Sequence, residues 1–554
     1  MQKLLSRRNV SARQNLFRSI GHVKPFCAFL LLNFVLEISA IAQTNSAPRA
    51  AQNAAGDRVI LFADDHAVLY RSGTKRVLQP LQRHPANPLI KGRDKPWEVA
   101  IAWTSVYRNP QTGRYQLWYQ SFAGDAAKDR TRRCTVSYAE SEDGILFTKP
   151  NLGLFDFNGV KETSIVLIAN GGTSDRYGVS VLVDPLEKDA RRRYKMAYFD
   201  FTRAQDGREY PGLNVAFSPD GIHWTKHSQG PLSRASYGDF GEPVPFSDET
   251  NHPWSIPLSM ADALDVFYDS PRKIFAIHGK MWIDGPSGGM YWKHAMGRIE
   301  SKDFIHWSAA QLVLAPDEHD PAWVEFHTAP VFLYNDLYIC PLQILDRSTR
   351  GGVVDIELAT SRDGFAWERS FRKPFWLARS EGEQFDSGSI FLCAQPVVLE
   401  DEIRFYYGAY GQGATGSDDN SLTTSIGMAT IPRDRFAGLQ PIARSDQPTL
   451  KQPLENVGQI TLKPIRRSGM TRLQLNADAS VGAIRVEVLD RNGKRLRGFA
   501  YDDAVPIRGD SLRHVVRWKS RAISDLPDQD YLLRIHLERA TIYALTLTAS
   551  SSNK

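Results

Sequence analysis

A seven-residue motif recurs four times in the middle of this chain. Ser141-Glu142-Asp143-Gly144-Ile145-Leu146-Phe147 returns as Ser218-Pro219-Asp220-Gly221-Ile222-His223-Trp224. It returns again as Ser301-Lys302-Asp303-Phe304-Ile305-His306-Trp307 and as Ser361-Arg362-Asp363-Gly364-Phe365-Ala366-Trp367. The pattern is Ser-x-Asp-Gly-x-x-aromatic, at spacings of 77, 83 and 60 residues. A repeat of this kind points to one supersecondary unit used several times over. Ser and Asp side chains can bond nearby backbone N–H groups, Gly accepts a positive φ, and the aromatic packs back onto a sheet. The motif therefore reads as a tight turn joining outer strands of a small antiparallel sheet, and not as a set of catalytic aspartates.

Each turn follows a strand-like run, such as residues 135–139 or 213–217. Each is also preceded by aromatic and β-branched hairpins at 115–119, 194–198, 266–277 and 331–339. A fifth unit runs from 403–407 through 425–430 to a degenerate turn, Asp434-Arg435-Phe436. Strong helical periodicity is absent. Five antiparallel units between residues 57 and 440 predict a five-bladed β-propeller, whose long loops would carry the function. A polar, Pro-containing linker over 441–456 follows. Beyond it, 483–489 alternates cleanly into an Asn492-Gly493 hairpin turn, with further short strands near 515–518, 531–535 and 542–545. Such spacing predicts a C-terminal β-sandwich over 457–550, suited to support or carbohydrate contact. The expected fold class is thus all-β.

The N-terminus carries an export signature. Lys3, Arg7, Arg8, Arg13, Arg18 and Lys24 form a basic region, residues 25–36 are uncharged, and Ala40-Ile41-Ala42 is a small-x-small cleavage site. Residues 1–42 read as a leader and 43–56 as a linker, with no membrane span once the leader is cleaved. The whole chain has 68 Lys plus Arg against 62 Asp plus Glu, a net charge of +6. The leader holds six of the bases and one acid, Glu37, which leaves 62 against 61. The mature chain is nearly neutral. Its one basic run, Arg191-Arg192-Arg193, is a solvated turn, and no nucleic-acid partner is expected. Cys134, Cys340 and Cys393 lie far apart in strand-like runs, so they are expected as buried thiols with at most one bridge and no zinc site.

Residues 57–440 resemble the five-bladed β-propeller glycoside hydrolases, the clan that includes families 32 and 43. They most resemble exported bacterial proteins of the family 32 N-terminal-like type. The likeness rests on the Ser-x-Asp-Gly-x-x-Trp repeats, on Glu140-Ser141-Glu142-Asp143-Gly144 with Lys149-Pro150-Asn151-Leu152-Gly153, and on Phe385-Asp386-Ser387-Gly388-Ser389. It implies a secreted glycosidase with a carbohydrate substrate and no required cofactor. It also implies three acidic residues, from inner strands of different blades, converging on a central pocket.

Each blade offers one acid just ahead of its first strand: Glu98, Asp175, Asp262, Glu325 and Asp386. Glycoside hydrolysis needs two carboxyl groups flanking the scissile bond. Trp323, Val324 and Phe326 surround Glu325, and apolar surroundings raise a carboxyl pKa toward that of a general acid. The expected set is Glu325 as acid, Asp262 as orienting carboxylate, and Glu98 or Asp386 as base or nucleophile. An acid in this position can also simply cap a turn, above all Asp175. His327 would share the face of Glu325, and Trp282, Trp292 and Trp323 would offer rings to sugars. Converging acids would also suit a structural Ca²⁺, although no acidic run has EF-hand spacing. Two rivals remain open: a non-catalytic glycan-binding propeller, and a glycoside phosphorylase, which would need a basic phosphate pocket.

Overall fold

The computed structural model describes residues 57–172, 178–203, 209–234, 263–283, 293–349, 351–413, 423–443 and 456–549. The expected leader and most of the two linkers lie outside them. Five antiparallel blades follow one another. Blade 1 comprises Ala100–Arg108, Tyr115–Phe122, Cys134–Ser141 and Ile165–Ile168. Blade 2 comprises Val179–Val183, Tyr194–Arg203, Glu209–Ser218 and Thr225–Lys226. Blade 3 comprises Leu264–Asp269, Ile274–Ile283, Lys293–Ser301 and Gln311–Leu314. Blade 4 begins with Val324–Phe326 and continues through Leu337–Asp346, Val353–Ser361 and Glu368–Phe371. Blade 5 comprises Ser389–Leu392, Glu402–Tyr410 and Thr424–Pro432. Its outer edge is completed by Gln82–Arg83 and Ile90–Lys91, from the start of the chain. That pairing ties the start of the chain to the last blade.

The repeated motif forms the turn its chemistry predicts. In all four copies the Asp carboxylate accepts the backbone N–H groups two and three residues on, and the Ser hydroxyl accepts the N–H three residues on. The glycines lie at φ +73° (Gly144), +82° (Gly221) and +76° (Gly364). The third copy has Phe304 there, at φ +69° and fully buried against Phe275 and Trp307.

The turn has a second task. Each Asp carbonyl accepts a hydrogen bond from the preceding blade: Asp143 from Arg404, Asp220 from Gln116, Asp303 from Arg192 and Asp363 from Arg272. The degenerate Asp434 takes the hydroxyl of Tyr334 from blade 4 at 2.6 Å. The repeat is therefore a latch from blade to blade, which is why it persists where the strands themselves diverge.

The sandwich differs from the expected boundaries. Asp57–Leu61, Val68–Ser72 and Thr74–Leu78 do not belong to the propeller, and neither does Ala437–Pro441. They pair with Thr541–Ala549, with Val457–Leu462 and with one another in the sandwich sheets. The long strand Met470–Asp490 pairs first with Thr541–Ala549 and then with Asp530–Glu538, so it passes from one layer to the other. Only their partners, far along the chain, assign these N-terminal strands to the sandwich. Leu61, Ala63, Phe436 and Ala544 share a core with Phe332 and Phe405 of the propeller. Cys134, Cys340 and Cys393 are buried thiols, and no disulfide joins them among the described residues.

Candidate active site

An inner strand of a propeller is a sheet edge facing the axis, and its backbone groups need partners there. Small side chains supply them from strand to strand. Val181 N–H donates to Ser105 Oγ (2.9 Å), and Val266 N–H to Ser180 Oγ (3.1 Å). Gln395 Nε2 donates to the Val266 carbonyl, and Gln343 Nε2 to that of Leu392, both at 3.1 Å.

Three rings from three blades meet at this axis. Trp103 stacks on Phe391 at 5.4 Å and on His327 at 6.2 Å, and His327 lies 4.9 Å from Phe391. Phe122 and Tyr410 close the group edge-on. Trp103 sits at a bulge between Ala102 and Thr104 with φ +30°. A bulky residue at positive φ is strained, and the bulge re-aims its side chain. Its indole N–H is buried without a partner among the described residues. Strand alternation could not have revealed Trp103, because the bulge breaks the alternation.

His327 is buried, and its Nδ1 lies 3.0 Å from Gln343 Oε1. Glu325, two residues earlier, keeps different company. Its Oε2 lies 2.5 Å from His294 Nδ1 and accepts the His294 backbone N–H at 3.2 Å. Its Oε1 accepts Arg347 Nε at 3.2 Å. Burial alone would raise this carboxyl, but His294 and Arg347 outweigh it and hold the pKa at about 2. The expected general acid is therefore an ionised carboxylate. Val324 and Phe326 alternate onto the opposite face of the strand, and Trp323 is 50% exposed, so the apolar neighbours in sequence do not surround Glu325 in space.

Glu98 and Asp386 are fully buried and fastened inside their own blades. Glu98 accepts Tyr119 Oη and Lys149 Nζ, each at 2.6 Å. Asp386 accepts Arg83 Nε at 2.7 Å and Tyr407 Oη at 3.1 Å. The two arrangements match: an acid ahead of the inner strand, a Tyr on the second strand, and a cation from the outer part of the blade. Blade 4 repeats the ion pair with Asp320, held by Arg369 at 2.6 Å and Arg372 at 2.9 Å. Among the described residues no hydrogen bond or ion pair joins Glu98, Glu325 and Asp386 to one another. Glu98, Asp386 and Asp320 are thus each held by a cation of their own blade.

Asp175, Asp262 and Trp292 lie outside the described residues, as does the side chain of Trp282. Sequence reasoning missed Asp265, on the inner strand of blade 3. It is buried beside Cys340, Cys393 and the Ala394 backbone, and burial pushes its carboxyl well above the usual range despite the hydrogen bond from Ala394. A raised carboxyl costs stability as pH rises above its unfolded value, until the folded pKa is passed. Asp265→Asn is therefore expected to raise the melting temperature at pH 7 by more than at pH 4. An equal shift at both would show that Asp265 is not held neutral.

A small cavity between blades 1 and 2 is lined by Gln120, Thr135, Gly178, Tyr198 and Asp200. Gln120 Oε1 and Thr135 Oγ1 are buried there without partners among the described residues, and a water would satisfy them. Among the described residues no group of three or more His, Cys, Asp or Glu is placed to hold a metal ion, and no helix is long and apolar enough to cross a membrane.

No protein-family model and no curated protein sequence matches the chain. Solved structures do resemble it. A glycosyl hydrolase from Bacteroides ovatus is 15% identical over 65% of this chain and 95% of its own, with a TM-score of 0.42. The α-L-arabinofuranosidase of Podospora anserina, in complex with cellotriose, is 16% identical over 63% and 96%, with a TM-score of 0.37. An N-acetylgalactosamine deacetylase from F. plautii, in complex with blood group B trisaccharide, is 16% identical over 66% and 97%, also at 0.37. At this distance none of them assigns a role to a residue here.

Proposed function

We propose that this chain is an exported glycoside hydrolase whose substrate binds where the inner strands begin at the propeller axis. The observation that carries the reading is Trp103, only partly buried and stacked over the buried Phe391 and His327, with the ionised Glu325 two residues before His327. Aromatic faces suit the apolar faces of sugar rings, and strained backbone such as that of Trp103 clusters at ligand-binding sites. Glu325 is the base or the carboxylate that steadies developing positive charge, and His294 is oriented by it. Glu98 and Asp386 are left out of this set, because neither has any exposed surface and each is held by a tyrosine hydroxyl and a cation of its own blade. Residues 1–42 direct export.

The test is a screen of purified chain 43–554 against a panel of oligosaccharides and polysaccharides. Release of reducing sugar is expected from at least one glycan. Trp103→Ala should raise KM by roughly tenfold or more, the scale of a lost stacking contact. The clamped acids favour one rival, a propeller that binds glycan without cleaving it. Binding of a glycan by the parent chain without any product, lost again in Trp103→Ala, would establish that rival.

A further inference from the structure

One face of the sandwich is built unlike the rest of its surface. Four strands lie side by side there: Val68–Ser72, Val457–Leu462, Asp530–Glu538 and the second half of Met470–Asp490. Directly opposed residues share a face of a sheet. One cross-strand row reads Tyr70, Thr461, Arg534, Glu487, and the next reads Ser72, Gln459, His536, Arg485. The alternate residues Ile460, Ile535 and Val486 point inward to the core. The row is roughly 14 Å wide at normal strand spacing.

Two tyrosines flank this row while remaining exposed. Tyr70 is 44% exposed, and its hydroxyl accepts Arg534 Nη2 at 2.7 Å and Gln459 Nε2 at 3.3 Å. Tyr501 is 39% exposed, lies edge-on to His536 at 4.9 Å, and accepts Arg485 Nη1 at 3.0 Å. Between them Glu487 is fully buried, with Arg495 Nε at 2.8 Å, His536 Nε2 at 3.3 Å and Arg534 Nη1 at 3.7 Å. One carboxylate thus stands among two arginines and a histidine. Arg495 remains 68% exposed.

We propose that this face is a second carbohydrate site, distinct from the propeller axis, which takes an acidic glycan such as a uronate polymer. The surplus of guanidinium charge selects a carboxylate-bearing partner, since Arg forks match carboxylate geometry. The pinned tyrosine rings offer flat apolar faces at little entropic cost, and Ser72, Gln459 and Thr461 offer hydroxyl and amide partners to sugars. Glu487 moderates the charge, which disfavours the dense phosphates of a nucleic acid. The choice of glycan rests on the reading of the chain as a carbohydrate-active protein, but the residues belong to a separate surface.

The experiment is native affinity electrophoresis of chain 43–554 in gels containing polygalacturonate, neutral arabinan or no polymer. Retardation is expected in polygalacturonate only, weakening with added salt. Tyr501→Ala and Arg485→Ala should each weaken it roughly tenfold. Arg495→Ala, at a side chain 68% exposed, repeats the test, with its melting temperature measured alongside because the buried Glu487 loses its nearest cation. Trp103→Ala should leave the retardation unchanged, which separates this site from the axial one. Equal retardation by arabinan, or tighter binding of an oligonucleotide, would overturn the proposal. So would retardation that survives all three sandwich substitutions or is abolished by Trp103→Ala.

Discussion

Glu325→Gln is expected to lower kcat by roughly 10²- to 10⁴-fold on the glycan that the panel identifies, the range for removing a group that acts in the transition state. The substitution keeps the shape and removes the charge. His294 would then lose the carboxylate that lies 2.5 Å from its ring, and Arg347 its partner. Stability should respond with a definite sign. The folded pKa of Glu325 is depressed from 4.5 to about 2, so its contribution is present above pH 4.5 and is lost as pH falls toward 2. The melting temperature of Glu325→Gln should therefore lie below that of the parent at pH 7, and the gap should narrow as pH drops below 4.5. The parent should show no loss of activity near pH 4 to 6 that belongs to Glu325 itself. Unchanged turnover in Glu325→Gln would remove it from the mechanism.

The contrast between Glu325 and its sequence context shows what a sequence can carry. The repeated turn was legible because its chemistry is local: Asp143 bonds the backbone two and three residues away, and so do its three counterparts. The blades followed from it, since each turn needs strands on both sides. The direction in which a carboxyl points was not legible. Lys149 reaches Glu98 across 51 residues and Arg83 reaches Asp386 across 303, so no neighbouring residue announces either clamp. Glu325 looked apolar because Val324 and Phe326 flank it in the chain, while the strand turns them to the other side. Trp103 was hidden by a bulge. The place of residues 57–78 was hidden for the same reason as the clamps: their partners lie near 437–441, 457–462 and 544–548. Local chemistry read correctly, and distant pairing did not.

The clamp itself predicts the largest change in stability. Lys149→Met should destabilise the chain by about 3–5 kcal/mol at neutral pH, because removing one partner of a buried pair leaves the other charge uncompensated. Glu98 has no exposed surface, and burial already raises its carboxyl above the usual range against the pull of Lys149. Without the ammonium that rise grows. A carboxyl raised in the folded state costs stability as pH climbs above its unfolded value of 4.5, so the deficit of Lys149→Met should be larger at pH 8 than at pH 5. Denaturant midpoints at the two pH values measure this. The double variant Glu98→Gln/Lys149→Met should recover part of the loss, since an amide is far cheaper to bury than a lone carboxylate. The same variant decides the role of Glu98. If the carboxylate belongs to the clamp, the double variant folds and keeps the turnover of the parent. If Glu98 is the catalytic base after all, the double variant folds and is inactive, and blade 1 returns to the catalytic set.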